Sequence, residues 1–320
     1  MDFKSRFSCE FEKFLSFKRA LGFVYDSHQG LLYELDKLIA SKFADHNLID
    51  QEIVFAWIQP RASDEAPGTS NLRVSLIREL ARFLKINKID CYLLPKSFRF
   101  KDPKLPKCTV LDKNALLRLF AATSKIVTKS AFGSVTLLVI MKFMYCTGLR
   151  PSEVYSLKIG EADLDLGTIK IIETKGHNNR EIATTKEISD ILQDYLKQTS
   201  VGAQDLDSFV FTLDGDRTKP INSCVVRTLF HKVCEKAKFI PPYPRLYDFR
   251  HTFITHRILS WFKQGEDLNL KLPLLKIFVG HEHLKETLYY FKLIPELVSE
   301  YNLSTSALNE DLIPEVSYGI

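Results

Sequence analysis

The reading of this chain turns on Pro244-Arg245-Leu246-Tyr247-Asp248-Phe249-Arg250-His251-Thr252, followed by Gly280-His281 and, nine residues after that histidine, Tyr290. With Asp248 as the cap of a helix, Tyr247, Arg250 and His251 fall at i, i+3 and i+4, where side chains share one side of the first turn. Downstream, Leu284, Leu288 and Phe291 recur at helical spacing and make an apolar stripe. At 3.6 residues per turn Tyr290 then projects roughly 120° from the stripe. That puts it on the flank of a packed helix, with its hydroxyl free.

Upstream lies a second informative stretch, Thr147-Gly148-Leu149-Arg150-Pro151-Ser152-Glu153. Residues 131–145 are apolar nearly all round, as in a helix buried on most sides, and Gly148 can end it. Arg150 falls in the short turn that follows. Pro151 suits the first position of a new helix, and Glu153, in its first turn, is the expected partner for a buried arginine. From Ile159 to Thr184 the pattern predicts three short strands, with turns at Leu166-Gly167 and across Lys175-Gly176-His177-Asn178-Asn179. Lys175 thus sits on the rim of a hairpin. Helices are expected at 187–198, 223–236 and 248–262, and one more can follow Pro295.

In this order and at these spacings, the elements resemble the catalytic half of the tyrosine recombinases, the phage-integrase family. The resemblance covers roughly residues 110–292. The insertion Gly265-Glu266-Asp267-Leu268-Asn269 resembles a subgroup carried by transposons and integrative elements. The family implies a nucleophile at Tyr290, a phosphate clamp of Arg150 and Arg250, a general acid at Lys175, and a phosphate or proton-transfer contact at His281. One position departs from the family. Tyr247 stands where the family's HxxR motif usually has histidine, and a phenol can donate a hydrogen bond but is a poor base near neutrality. No metal and no cofactor are implied, because the cations do what divalent ions do in nucleases.

The first hundred residues read as helical, with Phe7, Phe11, Phe14 and Leu21 on one helix and Leu31, Leu32, Leu35, Leu38 and Ile39 on the next. A third runs from Ile53 until Pro60. A fourth, starting near Ser70-Asn71, sets Leu72, Leu76, Leu80, Phe83 and Leu84 on one face and Arg78, Arg82 and Lys85 on the other, where they can track a DNA backbone. A solvated helix face explains the same stripe equally well. Residues 96–107 hold five cations, Lys101 and Lys104 among them, against one anion, with Pro103 and Pro106 discouraging regular structure. The expected organisation is a helical DNA core-binding domain at 1–95, a basic linker at 96–109, and a catalytic domain at 110–320 that includes the tail. The fold class is mainly α with a small antiparallel β-sheet (α+β).

Composition adds bounds. At 320 residues, 45% hydrophobic and 26% charged, the chain can form two proper cores, which excludes a disordered or fibrous protein. The net charge of +5 favours an anionic partner only mildly. Six scattered cysteines without a CxxC pair read as free thiols in a reducing compartment. No apolar run reaches the length of about 18 residues needed for a membrane span. The resemblance implies double-stranded DNA with paired core-binding sites as partner, a homotetramer on it, accessory proteins encoded by the same element, no membrane, and a cytoplasmic, nucleoid-associated location. Two rivals stay open: a catalytically weak or inactive DNA-binding relative, and a swivelling topoisomerase or resolvase built on the same site.

Overall fold

A computed structural model describes residues 2–23, 25–62, 65–101, 108–172, 179–199 and 205–294. The chain divides into two compact units, one running through residue 107 and the other starting at Cys108. Among the described residues no helix is long and apolar enough to cross a membrane.

The first unit is built of helices α1 (Ser8–Ala20), α2 (Asp26–Lys42), α3 (Gln51–Ile58) and α4 (Pro67–Ile86). Its core gathers Phe11, Phe14, Leu32, Leu35, Ile39, Ile53, Val54, Leu76 and Leu80, all fully buried. Each such side chain removed from water contributes about 1.5–3 kcal/mol. Asp50 starts α3 by accepting the Ile53 N–H at 3.0 Å, one of the donors that a helix start leaves unsatisfied. Helix α4 begins at Pro67, three residues before the expected start, because proline fits the first helical position. Leu72, expected on the apolar face, is 51% exposed, while Arg73 is buried. The reason is phase. The buried face is centred on Arg73, Ile77, Leu80 and Leu84, and Leu72 lies roughly 100° round the helix from it. Arg73 is tolerated inside because Glu65 accepts two of its hydrogen bonds, at 2.7 and 2.9 Å.

In the second unit α5 (Lys113–Thr123) is capped by Asp112, which accepts the Ala115 N–H at 2.7 Å. Helix α6 (Gly133–Thr147) runs through the main core, burying Leu137, Ile140, Met141, Phe143 and Met144. After α7 (Pro151–Tyr155) come three antiparallel strands, β1 (Ala162–Asp163), β2 (Thr168–Ile171) and β3 (Arg180–Ala183), in the order β1-β2-β3. The fold class is thus the expected one, helices with a small antiparallel sheet. Helices α8 (Lys186–Gln198), α9 (Ser223–Lys236), α10 (Tyr247–Lys263), α11 (Leu268–Val279) and α12 (Leu284–Leu288) follow, and a 3-10 turn occupies Tyr289–Leu293. A smaller core between α10, α11 and the last turns holds Phe253, Ile254, Ile258, Leu275, Val279, Tyr290 and Ile294.

Candidate active site

The site is assembled where four chain turns meet: the end of α6, the start of β3, the start of α10 and the end of α11. Gly148 closes α6 in the left-handed conformation, at φ +64°, and a Cβ there would collide with the Phe253 ring. Only glycine meets both demands. The chain then turns through an extended Arg150 into Pro151, the first residue of α7. Glu153 accepts the Arg150 backbone N–H at 2.8 Å and its Nη1 at 2.9 Å. Glu153, the partner expected for Arg150, therefore does pair with it.

Glu153 has a second cation. Arg180, at the first position of β3, shares a face with the buried Ile182 and donates Nη1 and Nη2 to the two Glu153 oxygens, each at 3.0 Å. Their side chains are only 6% and 4% exposed. Arg180 also donates Nε to the Phe278 carbonyl at 2.9 Å, tying β3 to the last turn of α11. That helix ends in Gly280, again left-handed at φ +67°, whose added Cβ would lie 2.6 Å from Arg180 Nη1. The backbone of Gly280 lies against the guanidinium.

Arg250, on the first turn of α10, is completely buried. It donates Nη1 to the Gly148 carbonyl at 2.9 Å and Nη2 to the Val279 carbonyl at 2.7 Å. Arg150 donates Nη2 to the next carbonyl, Gly280, at 2.5 Å. Two guanidinium groups thus converge on successive carbonyls just before His281. Arg250 Nε is buried without a hydrogen-bond partner among the described residues.

His281 follows directly. Its Nδ1 pairs with Thr287 Oγ1 at 2.8 Å, leaving Nε2 with no hydrogen-bond partner among the described residues. Its ring lies nearly parallel to that of Tyr290, with centroids 6.1 Å apart. Tyr290 itself corrects the sequence reading. It is 4% exposed, and its hydroxyl is held by His251 Nδ1 at 2.8 Å rather than left free. The expected stripe faces outward, with Leu284 39% and Leu288 44% exposed, and the inward set is Thr287, Tyr290 and Ile294. Thr287, Tyr290 and Ile294 stand at i, i+3 and i+7, so Tyr290 does lie well round the helix from Leu284 and Leu288, but the side it occupies is the buried one. Asp248 is likewise not the cap of α10. Leu246 is already helical, at φ −57° and ψ −33°, and Asp248 accepts the Arg245 N–H at 2.7 Å from within the first turn.

The electrostatics follow from burial around few counter-charges. Arg150, Arg180 and Arg250 all act on one carboxylate, Glu153. Burial alone would raise the Glu153 carboxyl, but the paired Arg180 and its neighbours hold it below the ordinary value. Burial pushes the His251 imidazole down to about 4. Burial and then Arg250, Arg150 and Arg180 push His281 down to about 3, so both rings are neutral near pH 7. Burial also raises the Tyr290 phenol above its usual range, against the pull of Arg250. Such a phenol stays protonated at rest, and a nucleophile of this kind needs a base beside it.

Of the residues singled out in sequence, Arg150, Arg250, His281 and Tyr290 come together. Tyr247 stands at the rim, 36% exposed, its ring edge-on to His251 at 4.9 Å. Lys175 and Lys104 lie outside the described residues. In the first unit, Arg82 and Lys101 are exposed, Lys85 pairs with Asp90, and Arg78 donates to the carbonyls of Pro95 and Phe98. Asn71 exchanges two further hydrogen bonds with Phe100, at 2.9 and 3.0 Å, so residues 95–101 are fastened to α4. Sequence reasoning missed Arg180 and Thr287. A carboxylate has about four acceptor positions, and the turn of α7 fills only part of them, which was the available signal for a second cation at Glu153.

Residues 109–295 match the phage integrase family. The chain belongs to that family. It is a tyrosine recombinase, of the enzyme class that cuts and rejoins DNA. An integrase/recombinase of Sinorhizobium fredii, y4rB, is 24% identical over 92% of this chain and 96% of its own length. The tyrosine recombinase XerC of Bacillus pumilus is 28% identical over 69% of each chain. Among solved structures, the Tn1549 transposon integrase in complex with transposon right-end DNA has a TM-score of 0.63, with 15% identity over 88% of this chain and 94% of that one. The XerH recombinase bound to a palindromic difH substrate, in a post-cleavage complex, gives 0.60 with 19% identity over 86% and 77%.

Proposed function

We propose that this recombinase is site-specific and cuts DNA through a covalent 3′-phosphotyrosyl link to Tyr290, in the service of a mobile element. The observation that carries the proposal is the charge count around Glu153: three arginines share one carboxylate, beside a phenol whose hydroxyl is already on a neutral imidazole. A phosphodiester supplies the missing negative charge. Arg150 and Arg250 clamp its non-bridging oxygens and stabilise the charge that grows on them as the phosphorus becomes pentavalent. His281 donates from Nε2 to the same oxygens. Lys175 protonates the leaving 5′ oxygen, and that role rests on the family motif alone.

The wider assignments extend this reading. The segment 1–95 serves as the core-binding domain and 96–109 as the linker, with Arg82, Lys85, Arg78, Lys101 and Lys104 as phosphate contacts. The partner is double-stranded DNA with paired sites, bound by four copies of the chain in closed symmetry at the nucleoid, with element-encoded accessory proteins. The choice of a mobile element is supported by the likeness in fold to the Tn1549 transposon integrase.

The test starts from random-sequence duplexes captured covalently by the wild-type protein. Two copies of the recovered site are then placed on a supercoiled plasmid. The proposal expects deletion or inversion products. Relaxation without exchange would instead assign a topoisomerase, and binding without covalent capture would assign a regulatory DNA-binding protein.

A further inference from the structure

The imidazole on the Tyr290 hydroxyl is not the one that the HxxR motif leads one to expect. The motif's histidine position is Tyr247, whose phenol cannot serve as a base near neutrality. One turn further along α10, His251 is 8% exposed and sits between two partners. Its Nδ1 lies 2.8 Å from Tyr290 Oη, and its Nε2 lies 3.4 Å from Cys108 Sγ. We propose that His251 is the general base of the cleavage step, in place of the histidine that position 247 lacks. The assignment rests on the reading of Tyr290 as nucleophile.

The tautomer follows from what each partner can accept. A buried phenol O–H needs an acceptor, and leaving one unmet costs about 1–3 kcal/mol. Nδ1 is that acceptor when the ring's proton is on Nε2. The Nε2–H then faces Cys108 Sγ, a weak acceptor, at a distance suited to sulfur. Cys108 is in turn 3.5 Å from the Tyr289 hydroxyl, so the thiol lies between the base and the exposed neighbour of the nucleophile. The ring is therefore held neutral with its lone pair on the phenol proton.

The step balances without a further reactant. As the Oη–phosphorus bond forms and the bond from phosphorus to the 5′ oxygen breaks, the Tyr290 proton passes to His251 Nδ1. The 5′ oxygen takes a proton from the general acid, assigned above to Lys175. On rejoining, the 5′ hydroxyl gives its proton back to the now deprotonated Lys175 as it attacks phosphorus, and Tyr290 leaves with the proton returned by His251. Burial, with smaller help from Arg245 and Arg250, holds the imidazole low while Asp248 pulls it upward. A bound phosphodiester adds a negative charge next to Arg250, which makes the imidazole a stronger base when it is needed.

His251→Gln keeps a side chain that can accept the hydroxyl proton's hydrogen bond but cannot take the proton. The probe is the duplex captured covalently by the wild-type protein, made with either oxygen or sulfur at the bridging 5′ position. Sulfur leaves without protonation, so it relieves loss of the acid and not loss of the base. His251→Gln should slow adduct formation by about 100-fold or more on both substrates, the range expected of general-base loss, with DNA affinity and melting temperature near wild type. A rate within tenfold of wild type on both substrates would overturn the assignment, as would rescue by sulfur. In the protein without DNA, 15N NMR should find His251 with Nε2 protonated and Nδ1 bare. Protonated Nδ1 would overturn it independently of any activity. Absence of an adduct from the wild-type protein would defeat the nucleophile reading as well, whereas an adduct from wild type and His251→Gln alike would defeat only this one.

Discussion

Glu153→Gln tests the framework that holds the two clamp arginines. In the wild type the carboxylate receives both terminal nitrogens of Arg180 and two donors from Arg150. The amide keeps the shape but removes the charge, and its NH2 group faces guanidinium donors. Arg180 is 6% exposed, so little solvent reaches the cation left behind, and breaking such a buried pair costs about 3–5 kcal/mol. Arg150, with a side chain 24% exposed, adds less. At about 2–4 °C per kcal/mol for a unit of this size, the melting temperature should fall by about 6–20 °C. Urea denaturation of wild type, Glu153→Gln, Arg180→Gln and the double variant would measure the loss of free energy, and thermal melts the shift in midpoint. The double variant should be less destabilised than the sum of the singles, because the second change removes the orphaned charge. Losses below about 1 kcal/mol, or strict additivity, would refute the reasoning.

Gly280→Ala should destabilise the second unit by at least about 1 kcal/mol in the same assay, because alanine resists φ +67° and its Cβ would press on Arg180; an unchanged midpoint contradicts the close approach. On acidification, the folded protein keeps His251 and His281 neutral down to about 4 and 3, while the unfolded chain protonates them near 6.5. The unfolded state then binds more protons, so stability should fall as pH drops from about 6.5 towards 4, and His281→Asn should flatten that limb of a melting-temperature profile. A profile that first falls below pH 4 would assign acid sensitivity to carboxylates instead. Tyr247→His should change the rate of adduct formation by less than tenfold, since His251 already serves Tyr290; loss of cleavage with the fold intact would give Tyr247 a role of its own.

Much of the site was legible because its residues are fixed by short-range rules. Gly148, Arg150, Pro151 and Glu153 state a helix end, a turn and a helix start within six residues, and the structure follows them. Arg150 and His281 each follow a glycine that ends a helix. What failed depended on the phase of an element. The sequence reading sets Tyr290 on the flank by treating the Leu284–Leu288 stripe as the buried side, whereas those two leucines are exposed and Thr287, Tyr290 and Ile294 turn inward. Leu72 fails for a related reason, since the buried Arg73 shifts the centre of the α4 face. Arg180 was invisible because its partner is 27 residues away in sequence. Nothing local to β3 says that a charged residue there is buried.

The central claim is that Tyr290, and not its exposed neighbour Tyr289, becomes joined to DNA. The captured adduct can be digested with nuclease and trypsin, and the modified peptide fragmented in a mass spectrometer. Cleavage after Lys285 and Lys292 yields residues 286–292, which contain both tyrosines, so fragmentation between them decides the assignment. The account predicts the nucleotide mass on Tyr290, attached through a 3′-phosphate. The same mass on Tyr289, or a link through a 5′-phosphate, would contradict it.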